Sequence, residues 1–254
     1  MSDSGMFTTD VDQVNELTIT VACECYSNLS LIRDTLEQQS DLNRILVWSP
    51  PVAPTPDNWN REAELVLVVS DKANLPMAIA RSASYKQQVQ ATILLYLQDE
   101  TGDPGEDIPG LSLPCKNLNA DLARLTKALF APVIPQGLVC IDWADTRHVL
   151  LLDGQILIEE ASGSQLVDVI DAVVARLHAH ASGRPILGIQ ASILCRQDKL
   201  AMSHVHHLLS ACKEITGEEA TLIVGAPFLD WPDSDHYEVR LIASVACVEL
   251  RGTR

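Results

Sequence analysis

The sequence predicts an α/β fold, in which strands and helices alternate along the chain and one strongly amphipathic helix joins two such series. Three observations carry this reading. Ala63–Ser70 (AELVLVVS) is an unbroken apolar run, as expected of a strand covered on both faces in a parallel sheet. Thr92–Leu97 repeats that pattern one helix-length later. Asn119–Val133 then sets Leu122, Leu125, Leu129 and Phe130 on one helical face behind an Asn119 or Asp121 cap. Strand–helix–strand alternation of this kind builds a doubly wound or related sheet.

Taken in order, residues 1–16 are acidic and small-polar and are expected to form a disordered tail. Leu17–Cys25, rich in β-branched residues, reads as a strand. Asn28–Gln38 carries Leu29, Ile32 and Leu36 at helical spacing after a Ser27 or Asn28 cap. Ile45–Trp48 is a second short strand, and SPPVAPTPDNWN, with four prolines, reads as a loop. A helix is expected from about Leu75 to Gln88, and the acidic stretch Asp99–Gly110 as a loop. Pro132 and Pro135 end the central helix, and a new section opens at GLVCIDWADTRHVL. Beyond it the pattern gives a strand at Gly154–Glu160, a helix at Ser164–Ala179, a strand at Ile186–Leu194, a helix at Lys199–Ile215, and closing strands at Ala220–Gly225 and Tyr237–Ala246.

Composition excludes several functions. The 254 residues include 18 Lys+Arg against 34 Asp+Glu, a net charge of −16, with 47% hydrophobic and 4% aromatic residues. The apolar fraction supports a sizeable core. The acidity leaves no cationic excess for nucleic acid or anionic membrane surfaces. The apolar runs are too short to cross a bilayer, so no membrane insertion is expected. The opening MSDSGMFTTDVD lacks a basic start and an apolar stretch, so no secretory signal is expected and a cytoplasmic location follows. The seven cysteines, at 23, 25, 115, 140, 195, 212 and 247, have no C-x-x-C spacing and are expected as reduced thiols. Cys23 and Cys25 point to one side of a strand and read as small buried residues rather than ligands.

The segment GLVCIDWADTRHVLLLDGQILIEEASG resembles the loop after the central helix of the FtsZ/tubulin family, the self-assembling GTPases of bacterial cell division and the cytoskeleton. In that family a glycine and a small apolar patch precede N-x-D-x-x-D. Farther on, EEATLIVGAPFLDWPDSDHYEVRLIASVA resembles the family's closing hairpin, with its A-x-x-x-x-G-A turn and V-R-hydrophobic-I-A strand. The resemblance implies a tubulin/FtsZ-like fold: a degenerate nucleotide-binding-like domain over 17–118, a long central helix over 119–134, and a smaller α/β domain over 135–254. AELVLVVS matches the strand that leads into the family's phosphate loop, but DKANLP stands where the family has G-G-G-T-G-T-G. Asp71 puts a carboxylate where a phosphate would sit, no glycine lets the backbone close on it, and Pro76 removes a donor. ACECYSN likewise replaces the glycine-rich turn after the first strand. The part before the central helix is shorter than the family's, and the partner-recruiting tail peptide is expected to be absent.

In the family the two acids of N-x-D-x-x-D reach into the nucleotide pocket of the adjacent subunit and position the attacking water. Carried over by position, Asp142 and Asp145 match both acids and Cys140 stands at the Asn. Equally, Asp145 reads as the cap of a helix beginning near Thr146 and Asp142 as a solvated loop residue. Trp143 and Trp231, in loops beside acids, are candidate contact residues or pack on the core. His204 and His207 lie three apart on a predicted helix, where a metal would need a third ligand such as Cys195; a solvated face is the preferred reading, and no metal is expected. His178 and His180 read as a decoration of a helix C-terminus. No nucleophile motif is present, so no catalytic residue and no cofactor are assigned.

These readings converge on a cytoplasmic FtsZ/tubulin-like protein, not an enzyme, that works through protein contacts in bacterial cell division or cytoskeletal assembly. Its partner would be a complete FtsZ-type filament or a second copy of itself, and its role that of partner, cap or scaffold. The alternative is a nucleotide-binding enzyme with a rearranged pocket.

Overall fold

The computed structural model describes residues 17–23, 46–52, 65–70, 75–86, 91–97, 110–130, 132–133, 137–228 and 236–247. The predicted tail 1–16, the helix Asn28–Gln38, Asp71, most of the acidic loop and Trp231 lie outside them.

The first half supplies strands β1 (Leu17–Cys23), β2 (Leu46–Val52), β3 (Leu65–Ser70), β4 (Ala91–Leu97) and β5 (Leu111–Cys115), with helices α1 (Leu75–Lys86) and α2 (Leu118–Phe130). The second supplies β6 (Gly137–Val139), α3 (Trp143–Leu150), β7 (Gly154–Gly163), α4 (Leu166–Ala181), β8 (Ile186–Leu194), a 3-10 turn at Gln197–Lys199, α5 (Met202–Ile215), β9 (Thr221–Pro227) and β10 (Tyr237–Val245). The described strands form a ten-stranded sheet in the order β2-β1-β3-β4-β5-β7-β10-β8-β9-β6. Only the β7–β10, β8–β10 and β6–β9 pairs are antiparallel.

Helices cover both faces, which is why β3 and β4 are buried nearly throughout. On one face α2 packs its apolar stripe against Leu65, Leu67, Val69, Ile93 and Leu95, and also against Ile156, Ile158 and Ile242 of the second half. On the other, α1 covers Val66, Val68, Leu94 and Tyr96, while α4 and α5 cover Val239, Leu241, Ala243 and Ile193. The far end of α2 is fastened by Gln190 of β8, 2% exposed, whose Nε2 donates to the carbonyls of Ala128 and Leu129 at 3.2 Å. Those carbonyls have no partner within the helix itself.

Several expectations need correcting. β2 runs through Pro50 and Pro51 instead of giving way to a loop at Ser49. It is the outermost strand, and its register against β1 slips from Thr20↔Ser49 to Ala22↔Val52. Prolines are tolerated at such an edge and bulge because no ladder bond is lost. β5 was not anticipated: LSLPC is too short to show an alternation and contains Pro114, yet it pairs with β4 from Ile93↔Leu111 to Leu97↔Cys115. The cap of α2 is Asn117, whose Oδ1 accepts from Asn119 and Ala120 at 3.2 and 3.1 Å, rather than Asn119 or Asp121. Asp121 instead folds back to accept the amides of Lys116 and Asn117. The helix stops at Phe130, short of Val133, because Pro132 disfavours the helical conformation in the residue before it. The closing strands are not a hairpin: β9 lies parallel to β8, and β10 inserts between β7 and β8.

Candidate functional site

The start of the second half is built on two close approaches. β6 pairs with β9 at Gly137↔Pro227 and Val139↔Ala226. A Cβ on Gly137 would stand 2.3 Å from the Ala226 carbonyl oxygen, so only glycine lets the strands meet. One turn on, Ile141, 7% exposed, lays its side chain over Gly225, with Cδ1 3.4 Å from where a Cβ would be. Gly225 therefore serves as space within β9 and not as a turn residue.

Because Ile141 is buried, its neighbours Cys140 and Asp142 are exposed. The Cys140 thiol makes a weak contact with the Gly137 carbonyl at 3.6 Å. Asp142 has extended backbone (φ −105, ψ 179) and caps α3. Its Oδ1 accepts from the Asp145 amide at 2.8 Å, and Asp145 Oδ2 accepts from the Asp142 amide at 3.1 Å. This is a reciprocal capping box, in which negative charge also complements the positive end of the helix. The cap is thus Asp142, with Asp145 as its partner, and α3 begins at Trp143 rather than near Thr146. One oxygen of each carboxylate is used in the box, and the other has no protein partner among the described residues.

Trp143 turns toward the core, its ring 6.0 Å from that of Phe130 at a 30° tilt. Its indole Nε1 is buried without a hydrogen-bond partner. His148, a turn further along α3, is exposed and contacts the Ala144 carbonyl through Nδ1 at 2.8 Å.

The other predicted constellations are dispersed. His204 Nδ1 accepts from the Ala201 amide at 3.3 Å, and its ring stands edge-on to Tyr237, while His207 Nε2 lies 3.4 Å from Asp171 of α4. Among the described residues no three His, Cys, Asp or Glu side chains converge on a point. His180 is more than a decoration: it reaches back to Glu159 of β7, Nδ1 to Oε1 at 2.5 Å, with Arg176 at 3.8 Å. Glu159 is 7% exposed, so these contacts are what permit a carboxylate under α4. Sequence reading missed it because its partners lie on the following helix, as far as 21 residues on.

Burial pushes the thiol of Cys195 up to about 11, with Asp198 adding to the effect, and that of Cys212 up to about 12; Cys115 is raised for the same reason. A reactive thiol must be ionised and reachable. Maleimide labelling of the native protein at pH 7.5 is therefore expected to modify the exposed Cys140 and Cys247 and to spare Cys115, Cys195 and Cys212 until the chain is unfolded, as read by peptide mapping.

A sheet flanked by helices on both faces, an amphipathic helix spanning its two halves, and an exposed acidic turn opening the second half define a tubulin/FtsZ-like fold. Solved structures bear this out. The chain is similar to an FtsZ dimer from M. jannaschii (TM-score 0.61, 12% identity, covering 92% of this chain and 89% of that one). It is likewise similar to a GTPγS-bound protofilament of CetZ2 from Haloferax volcanii (0.60, 14% identity, 92% and 94%). A third likeness is to GDP-form protofilaments of TubZ from Bacillus thuringiensis serovar israelensis (0.56, 10% identity, 88% and 70%). No protein-family profile and no curated protein matches the sequence. Among the described residues no helix is long and apolar enough to cross a membrane.

Proposed function

We propose that this chain is an FtsZ/tubulin-like protein without GTPase activity, acting in the cytoplasm through protein contacts in bacterial cell division or cytoskeletal assembly. The observation that carries the reading is an asymmetry. The acidic turn is fully built, with Asp142 exposed and Asp145 half-buried, whereas only residues 71–74 separate β3 from α1, and they contain no glycine. A phosphate cradle needs consecutive backbone N–H groups that a ligand can approach closely. Here Asp71 opposes an anion electrostatically, and Pro76 in the first turn of α1 has no N–H to offer. The similar structures were solved as a dimer and as protofilaments, which supports association with a filament or with itself. A subunit keeping one end surface and lacking the other binds a filament end and blocks addition there.

Sedimentation of a complete FtsZ-type polymer from the same cell tests this. Added protein is expected to lower the pelleted fraction in proportion to dose, and Asp142→Asn with Asp145→Asn to weaken that effect. Asparagine keeps the helix cap while removing the charge, so a lost cap does not explain the change. An unchanged pellet at equimolar protein overturns the proposal. So does micromolar binding of GTP, GDP or ATP with magnesium in calorimetric titration.

A further inference from the structure

Gln190 uses only half of its amide to hold the end of α2. Nε2 donates to the carbonyls of Ala128 and Leu129, which fixes the orientation of the group, and Oε1 is left buried without a hydrogen-bond partner. Two residues on, and so on the same face of β8, the hydroxyl of Ser192 is orphaned as well. Facing them is α3, which packs across β8, β9 and β10. Trp143 and Thr146, three apart and therefore on one side of that helix, bury an indole N–H and a hydroxyl that likewise have no partner. Gln190, Ser192 and Thr146 are 2%, 1% and 0% exposed, so bulk solvent reaches none of them.

The four groups belong to one place. Ser192 pairs with Gly225 of β9, and Gly225 lies beneath Ile141 and Pro132, which stand just before α3 and just after α2. Gln190 reaches α2 one residue before Phe130, whose ring is 6.0 Å from that of Trp143. A polar seam thus runs between β8 and α3, closed by the end of α2. No hydrogen bond joins any two of the four groups, so they do not satisfy one another. Keeping all of them dry costs more than ordering a small molecule that bonds them together.

Their chemistry names that molecule. The indole only donates, the Gln190 oxygen only accepts, and the two hydroxyls do either. A cation would suit the oxygens and be opposed by the indole N–H; an anion would suit the N–H and be opposed by the Gln190 oxygen. Water meets both demands. We propose that α3 is seated on the sheet through an internal water site, where bound water accepts from Trp143 Nε1, donates to Gln190 Oε1 and links the hydroxyls of Thr146 and Ser192. A buried water makes about three hydrogen bonds, so four groups suit about one or two molecules. The site lies under the first turn of the helix that carries Asp142 and Asp145, so exchangeable water, and not packed hydrocarbon alone, sets how firmly that turn is held. The proposal is independent of the filament reading and survives its failure.

A crystal structure of the full chain at a resolution that shows ordered solvent tests the site, and oxygen-17 relaxation dispersion in solution tests its lifetime. The first is expected to place a water within hydrogen-bonding distance of both Trp143 Nε1 and Gln190 Oε1, and the second to detect long-lived internal water. Thr146→Val with Ser192→Ala removes two of the four bonds, and the residence time should shorten about tenfold or the signal vanish. Valine copies the shape of threonine, so Thr146→Val alone keeps the test open if circular dichroism shows that the double variant does not fold; a smaller shortening is then expected. Three results overturn the proposal. One is a wild-type seam without water, in which the Thr146 hydroxyl has turned to the Asp142 carbonyl and the indole bonds a protein acceptor. Another is a metal ion or other solute in the water's place. The third is a residence time that the folded variants leave unchanged.

Discussion

Phe130→Ala is expected to lower the free energy of unfolding by about 3–5 kcal/mol, a shift read directly from the midpoint of a urea titration. The side chain is 0% exposed and is the last residue of α2, so no helical turn beyond it can collapse into the space. Its environment makes the loss larger than its area alone implies. The cluster it joins takes in Leu65, Leu67 and Ile93 from the first half and Ile156, Ile158 and Ile242 from the second, with Trp143 packed against it. A cavity there loosens both halves at once. A double-mutant cycle with Trp143→Ala should return a coupling of about 0.5–1.5 kcal/mol for the ring pair. Additivity of the two substitutions would show that the rings touch without interacting.

Gly137→Val should have a comparable effect by the opposite route. The new Cβ would stand 2.3 Å from Ala226 O and 2.7 Å from the Pro227 Cα, both backbone, so neither can rotate away. β6 must then separate from β9, at a cost of about 3 kcal/mol or more. The damage is local, because β6 has no other partner among the described strands. Amide hydrogen exchange should therefore quicken at residues 137–142 while β7, β8 and β10 stay protected. Gly225→Ala provides the scale: its Cβ meets only the Pro132 and Ile141 side chains, at 3.1 and 3.4 Å, and a shift of a few tenths of an ångström relieves it. If the two substitutions proved equally mild, the β6–β9 contact would be looser than described.

How much of this was legible in the sequence depended on how local the cause was. Ile186–Leu194 was placed to the residue, because a strand covered on both faces writes its burial into consecutive positions. Gln190 inside that run was not interpretable, since its reason is the end of α2, sixty-odd residues away. β5 and the prolines of β2 failed for a related cause: a short strand is stabilised by its neighbours rather than by its own pattern. At the site, the D-x-x-D spacing was visible, but α3 has only eight residues and too little periodicity to mark its first turn. The cap was therefore assigned to the wrong aspartate of the pair. The order β7-β10-β8 leaves no trace in any window of sequence, because α5 and β9 separate β10 from β8, and α4 and β8 as well separate it from β7.

That order has a consequence for biosynthesis. β7 and β8 share no hydrogen bond, and the strand that joins them is the last of the described strands to leave the ribosome. While residues 154–227 are already in the open, the apolar faces of α4 and α5 have two separate ribbons to rest on and nothing between them. The second half is thus committed to completing itself only after translation has passed Val245. A nascent chain stalled at residue 236 would hold a gap one strand wide, open to chaperones and to any other strand of suitable pattern.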